Sequence, residues 1–171
     1  MRISIIALAL LSPIAAHAQT PSLTANLAGV QQVQQTFGKG VQIYGCQQGS
    51  GTPKWIFLAP DATLYQLLQS TPEQVATHSA GPAWEWNDGS GLFGTTIQSV
   101  ASPDPNSIPW LLLQTQPFGL KGGVLSAVNY VVRSDTSGGT APTSGCDTVH
   151  LGTTARVPYT ATYTFYTATT K

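Results

Sequence analysis

Short stretches in which apolar and polar residues alternate dominate the chain after Gly40, and clusters of turn-forming residues separate them. The clearest stretch is Val157–Tyr166, where aromatic residues and alanine occupy one set of alternate positions and threonine occupies most of the other. A period of two residues is typical of a β-strand with one buried face. About seven or eight such stretches occur, which predicts an all-β fold, an antiparallel sandwich or barrel.

Four segments carry more local predictions. Leu23–Phe37 has apolar side chains at near-helical spacing, which predicts a short N-terminal helix or an irregular arm. Asp61–Gln69 predicts one or two helical turns, with its leucines facing inward. Trp55–Leu58 is continuously apolar and predicts a strand that is buried on both faces. His78–Trp86 predicts one further strand-like run.

The tetrapeptide Asn87–Ser90 separates that last run from the next one, Leu92–Val100. Asp-Gly between two strand-like runs is typical of a tight β-hairpin. The sequence therefore predicts a hairpin turn with Asp88 and Gly89 as its central pair, both with positive φ if the turn is type I′. In that role Asp88 binds neighbouring backbone amides and performs no chemistry.

The first 18 residues have the features of a secretory signal peptide. Arg2 supplies a positive charge, Ile3–Ala16 is mainly apolar, and Ala16-His17-Ala18 is a small-x-small cleavage pattern. The apolar run is too short to span a bilayer. We therefore predict cleavage after Ala18, a single all-β domain over residues 19–171, and a secreted or periplasmic location. An uncleaved anchor is the alternative.

The low charge of the chain narrows the classes of function. Asp, Glu, Lys and Arg make up 8% of the residues, against about 25% in typical domains. Seven basic and seven acidic residues balance, and removal of Arg2 would leave six basic ones. This balance argues against a nucleic-acid-binding surface or a polybasic membrane patch. No stretch after the signal peptide is long and apolar enough to be a membrane helix.

Two cysteines, Cys46 and Cys146, are present. An even number of cysteines in an exported chain predicts a disulfide, and free thiols or metal ligands are the alternative. The chain after the signal peptide has only two histidines, His78 and His150, which excludes a three-histidine metal site. Both histidines with one carboxylate would still match a zinc site, but ordinary hydrogen bonding of each is the simpler interpretation. We predict no metal and no cofactor.

His78 and Glu85 are the candidate catalytic residues. Glu85 is one of two glutamates in the chain and lies between Trp84 and Trp86. If Glu85 were buried beside His78, its pKa would rise towards that of a general acid. If Glu85 faced the solvent, it would be an ordinary surface acid.

Trp84, Trp86 and Arg133 are the candidate ligand-binding residues. The two tryptophans should share one face of their strand. With tyrosines of the last strand they would form a stacking surface for a sugar or another ring, unless they belong to the core. Arg133 would bind an acid, or would pair with Glu85 or Asp135. The tyrosines concerned are Tyr159, Tyr163 and Tyr166.

Several motifs together resemble one protein family. They are Gln42–Cys46, Trp55–Pro60, His78–Glu85, Asp88–Ser90, Pro109–Leu113, Arg133–Gly139, Ala141–Pro142, Cys146 and Val157–Tyr166. This pattern resembles the domain-of-unknown-function family thirty-four fifty-five, which contains exported proteins of bacteria and fungi, some labelled malate dehydrogenase. The resemblance covers nearly all of the chain after the signal peptide. It implies no established activity and no catalytic residues.

The dehydrogenase label can be compared with the sequence directly. Gly89–Gly94 fits the bare pattern GxGxxG, but a dinucleotide site needs a strand before the motif and a helix after it. Thr95–Val100 favours a strand instead. NAD-dependent dehydrogenase activity is therefore not expected.

The sequence favours an exported, non-enzymatic binding or envelope-associated protein with a glycan or small-molecule ligand. A small exported hydrolase centred on His78 and Glu85 is one alternative. A purely structural surface protein is the other. The oligomeric state does not follow from the sequence.

Overall fold

The computed structural model describes residues 23, 27, 29–66 and 71–169. Within these residues all regular structure is β, which confirms the predicted fold class. Each strand pairs antiparallel with the next, and the last strand pairs with the first, so that the sheet closes into a barrel. The strands are β1 (Val30–Gln47), β2 (Lys54–Gln66), β3 (Glu73–Ser79), β4 (Ala83–Trp86), β5 (Ser90–Val100), β6 (Trp110–Gly119), β7 (Tyr130–Gly138) and β8 (Thr154–Ala168). The described residues form no helix that could cross a membrane.

The two predicted helical segments are strands over most of their described residues, and the positions of Leu23–Phe37 described before Val30 (23, 27 and 29) are in neither a helix nor a strand. From Val30 onward the predicted N-terminal helix is β1, which pairs with β8 on one side and β2 on the other. The predicted helical turns after Asp61 are the end of β2 as far as Gln66, and 67–69 lie outside the described residues. Pairing satisfies the backbone groups of both segments, and this tertiary gain overrides local apolar spacing.

The barrel interior is filled by alternate side chains of the strands. In β8 the residues 159, 161, 163 and 165 are buried, which confirms the face predicted from their alternation. The core cluster includes Leu64, Trp84, Leu92, Leu113, Tyr163 and Phe165. A second cluster lies on the outer face around Trp110, Leu112 and Val132, where Leu23 and Leu27 pack against it.

The upper end of the barrel is the end at which β1 joins β2, β3 joins β4, β5 joins β6 and β7 joins β8. The longest of these connections, residues 139–153, is attached to the barrel at several points. Cys46 and Cys146 form the predicted disulfide, with their Cα atoms 5.3 Å apart. The Tyr44 hydroxyl donates to Gly139 O at 2.7 Å, and Trp55 Nε1 donates to Ser144 O at 2.9 Å.

At the opposite end, the predicted hairpin turn joins β4 to β5. Gly89 N donates to Trp86 O at 2.9 Å, so the central residues are Asn87 and Asp88, and the predicted central pair of Asp88 and Gly89 is wrong. Gly89 has φ +86°, whereas Asp88 has no positive φ, and the turn is therefore not type I′. The Asp88 carboxylate accepts from Ser90 N at 2.8 Å and Val124 N at 2.8 Å, which gives it a structural role.

Candidate functional site

A tight turn at the upper end divides the predicted run His78–Trp86 into β3 and β4. Gly81 in this turn has φ +122°, a conformation that a residue with a side chain rarely adopts. The turn places His78 opposite Trp84 and Thr77 opposite Glu85 in the antiparallel register. His78 and Trp84 therefore share the inner face of the barrel.

His78 is a buried, neutral histidine with a defined tautomer. Its side chain is 3% exposed, and Nδ1 lies 2.8 Å from Ala83 O. Because a carbonyl oxygen only accepts, Nδ1 carries the proton and Nε2 keeps its lone pair. The ring stacks on Trp84 at 4.5 Å and meets the edge of Tyr163 at 5.2 Å. Burial lowers the pKa of His78 to about 4, so the ring is uncharged at neutral pH.

The interior also contains hydrogen-bonding groups without partners. Trp84 Nε1 and Gln42 Nε2 are buried and have no hydrogen-bond partner in the described part of the protein. The hydroxyls of Tyr159 and Tyr163 lie 2.9 Å apart and pair with each other. A buried donor without a partner costs about 1–3 kcal/mol, so Trp84 and Gln42 each leave an unsatisfied donor inside the barrel.

A cavity of about 290 Å³ lies at the upper end, above the His78–Trp84 pair. Its volume is at the lower edge of the range for ligand pockets, about 300–1,000 Å³. His78, Trp84, Thr96, Arg133 and Tyr163 supply its polar atoms. The apolar lining consists mainly of Phe57, Leu58, Pro60, Pro82, Leu111 and Leu113.

The apolar run of β2 does not form the doubly buried strand that we predicted. Phe57 is 49% exposed and Leu58 is 46% exposed, although both line the cavity. A shift in register between Ile43 and Tyr44 of β1 falls next to them. Phe57 and Leu58 therefore present apolar surface at the cavity, and no group in the described ranges covers them completely.

Arg133 is held at the inner face of β7, opposite Leu111 on one side and Tyr163 on the other. The side chain is half-buried and lines the cavity. Its Nε and Nη2 atoms donate to Pro109 O at 3.2 and 2.8 Å. Burial lowers the pKa of Arg133 from its usual value, but a guanidinium remains protonated at neutral pH.

No carboxylate compensates this charge. All seven Asp and Glu side chains belong to the described part of the chain, and every one of them is exposed. The ion pairs in that part join Asp61 to Arg156 and Asp147 to His150. The pairing of Arg133 with Glu85 or Asp135 that the sequence suggested is therefore not formed.

Of the candidate catalytic and ligand-binding residues, the structure brings together His78, Trp84 and Arg133 at the cavity, but not Glu85 or Trp86. Glu85 is exposed on the outer face of β4, whereas His78 lies inside the barrel. A general acid–base pair between them is not formed, because the sheet separates the two side chains. Among the described residues no cluster of three His, Cys, Asp or Glu side chains could hold a metal ion.

The aromatic residues form core rather than a flat surface. Trp84 and Trp86 share a face as predicted, and both pack edge-on against Phe165, at 6.4 and 6.2 Å. Tyr159 and Tyr163 are fully inside, while Tyr166 belongs to the cluster on the outer face. The predicted stacking surface of Trp84, Trp86 and the three tyrosines of β8 is therefore not formed.

The outward position of Glu85 leads to a prediction. Glu85→Gln should change the melting temperature by less than about 2 °C, because an exposed side chain without a partner contributes within about 0.5 kcal/mol. Asp88→Asn is the matched control, since it weakens the carboxylate bonds to Ser90 and Val124. Thermal melts of both variants measure this. A larger loss for Glu85→Gln than for Asp88→Asn would contradict the structure.

Sequence reasoning missed the apolar half of the site. The cavity wall includes Leu111 and Leu113 of β6, which alternate as in any core strand, and Pro60 of β2. Nothing in the sequence pattern distinguishes these cavity-lining residues from packed interior. The usable evidence in the sequence was the adjacent pair Phe57-Leu58, since two neighbours on a strand rarely face the same core.

Comparison with known proteins gives a family but no activity. No curated protein and no solved structure matches the chain. The family model described as "Protein of unknown function (DUF3455)" matches residues 27–167, from just before β1 to near the end of β8. The matched range therefore includes every residue of the cavity, and the chain belongs to the DUF3455 family of proteins of unknown function.

Proposed function

We propose that the protein is an exported, non-enzymatic binding protein whose barrel holds one small organic molecule in the cavity at its upper end. The observation that carries this proposal is the cavity of about 290 Å³ between Arg133 and the His78–Trp84 pair. An eight-stranded barrel has an interior that side chains fill or that accommodates one small ligand. A mainly apolar lining with a few polar groups is the usual composition of a ligand site.

The rigidity of the site supports binding of a ligand of defined shape. Every wall of the cavity is a β-strand or the short turn at Gly81, and the longest loop at this end is fixed by the disulfide. Walls that do not need to be ordered on binding reduce the entropic cost of association. Export is supported by the signal-peptide features of the first 18 residues and by the disulfide, since such bonds persist mainly outside the cytosol.

The hydrolase alternative has less support. It needs His78 and Glu85 side by side, and these residues lie on opposite faces of the sheet. A histidine with a pKa of about 4 is also a weak general base at neutral pH. Both cysteines are in the disulfide and cannot act as nucleophiles.

The cavity can be closed by a single substitution on an exposed position. Thr96→Trp places a large ring on a cavity-lining position of β5, whereas Thr95→Trp places the same ring on the neighbouring exposed position outside the lining. Isothermal titration calorimetry with octanoate and octan-1-ol should detect one ligand per chain for the parent protein. Thr96→Trp should weaken binding at least about tenfold, and Thr95→Trp should not.

Two outcomes would refute the proposal. If neither compound binds the parent protein, the cavity is not a site for small organic molecules, and the structural-protein interpretation gains support. If Thr96→Trp binds both compounds as well as Thr95→Trp does, the ligand binds elsewhere.

A further inference from the structure

We propose that the ligand is the anion of a small apolar carboxylic acid, bound with its carboxylate on Arg133 and its apolar part against Pro60, Leu111 and Leu113. This inference rests on the proposed function and specifies the class of ligand for the same cavity. It follows from the charge, the free donors and the lining of the site.

Arg133 is a cation without an Asp or Glu counter-ion. Among the described residues Arg133 is the one Lys, Arg, Asp or Glu side chain that is not exposed. Partial removal of a guanidinium from water is unfavourable unless an anion or several hydrogen bonds compensate it. The protein supplies the Pro109 carbonyl at 2.8 and 3.2 Å and the neutral hydroxyl of Tyr163, but no Asp or Glu carboxylate. A ligand anion would supply the missing charge.

The remaining donors of Arg133 have the geometry for a carboxylate. A guanidinium has five N–H groups, and Pro109 O accepts from the edge formed by Nε and Nη2. The two N–H groups of Nη1 and the second N–H of Nη2 remain. This pair of nitrogens forms the end-on fork that binds both oxygens of a carboxylate.

The other groups of the cavity limit the ligand to one negative charge. His78 is uncharged at neutral pH because burial lowers its pKa to about 4. Tyr163, which also lines the site, is uncharged as well, since burial raises its pKa. Arg133 is thus the one charge facing the cavity, and a second negative charge on the ligand would lie unpaired among leucines and prolines.

A second, independent observation also indicates a ligand acceptor. Trp84 is 1% exposed, lines the cavity and has an indole N–H without a partner. A buried tryptophan N–H usually has a hydrogen-bond acceptor. A carboxylate oxygen that reached this N–H group would supply the missing acceptor, because it has lone pairs beyond those used by Arg133.

The test compares ligands that differ in charge with variants that differ in the position of the lost charge. Octanoate, octan-1-ol and octylamine are titrated by calorimetry into the parent protein, Arg133→Gln and Arg156→Gln at pH 7.5. Arg156 is the matched control because it is exposed and pairs with Asp61 outside the cavity. We expect octanoate to bind at least about tenfold more tightly than octan-1-ol, and octylamine not to bind.

The variants should separate the contribution of charge to the affinity from the contribution of apolar contact. Arg133→Gln should weaken octanoate at least about tenfold and leave octan-1-ol nearly unchanged, since it removes charge but little apolar surface. Arg133→Lys should retain part of the preference, because it keeps the charge and loses the fork. Arg156→Gln should behave like the parent protein. Circular dichroism shows whether each variant is folded. If Arg133→Gln is unfolded, the carboxylate assignment is tested by Arg133→Lys and by the preference of the parent protein for octanoate over octan-1-ol.

Equal affinity for octanoate and octan-1-ol in the parent protein would overturn the carboxylate assignment while the binding function stood. Retention of octanoate affinity by folded Arg133→Gln would overturn it in the same way. Absence of binding by all three compounds would overturn both proposals.

Discussion

Replacing Cys46 and Cys146 together by alanine should lower the free energy of unfolding by about 4–5 kcal/mol. The two cysteines are 100 residues apart, and the loop-entropy model gives about 4.7 kcal/mol for closing a loop of that length in the unfolded chain. Most of the effect thus arises in the unfolded state, which becomes less restricted when the bridge is lost.

The folded barrel should survive this change near room temperature. Hydrogen bonds from Tyr44 and Trp55 still attach the 139–153 connection, and Cys46 N and O bond to Thr153 O and Gly152 N through the backbone, which alanine retains. Urea denaturation of the parent protein, the double variant and the reduced parent provides the measurement. The last two should agree within about 1 kcal/mol, and a loss below that value in both would contradict the account.

Acid should destabilise the protein between about pH 6.5 and pH 4, and His78 should cause most of the loss. The pKa of His78 is lowered from 6.5 to about 4 in the folded state by burial. Between these values the unfolded chain binds a proton that the folded barrel does not, so stability falls as the pH falls. The full contribution is present above pH 6.5 and is lost by pH 4. It amounts to about 3 kcal/mol, from 1.4 kcal/mol per unit of pKa.

A substitution at His78 isolates this contribution. His78→Asn keeps a side-chain N–H that can donate to Ala83 O but cannot take up a proton, so its stability should change less between pH 7 and pH 4. His150→Asn is the control, because His150 is exposed. Carboxylates with lowered pKa values, such as Asp88 and Asp104, begin to lose their contribution below about pH 5, and this loss is common to the parent protein and both variants. Equal pH slopes for His78→Asn and the parent would refute the assignment.

Much of the fold could be predicted from the sequence because its strands carry local patterns. The alternation in Val157–Tyr166 identified the inner face of β8, and Asp88-Gly89 identified the hairpin. The first half of β1 was predicted wrongly, since its apolar residues follow a near-helical spacing among glutamines. Its conformation is decided by pairing with β2 and β8, which are distant in sequence.

The site could be predicted only in part, because registers and turns decide it. A turn of three residues, 80–82, separates β3 from β4 and places Trp84 rather than Glu85 opposite His78. Sequence alone does not give the length of such a turn. The position of Arg133 beside Tyr163 depends on the register between β7 and β8, which shifts between Ser134 and Ser137, where Asp135 adopts φ +48°.

The most direct test of ligand binding in the barrel uses the indole N–H groups of the four tryptophans. Their nitrogen–proton NMR signals, assigned with single Trp→Phe variants, are followed while octanoate is added. Trp84 lines the cavity. Trp110, whose buried N–H is also unpaired, lies in the outer cluster, and the Trp55 N–H is bonded to Ser144 O. We predict that the Trp84 signal shifts most and saturates at one octanoate per chain. A titration in which Trp84 stays unchanged, or in which Trp110 shifts instead, would contradict binding in the barrel cavity.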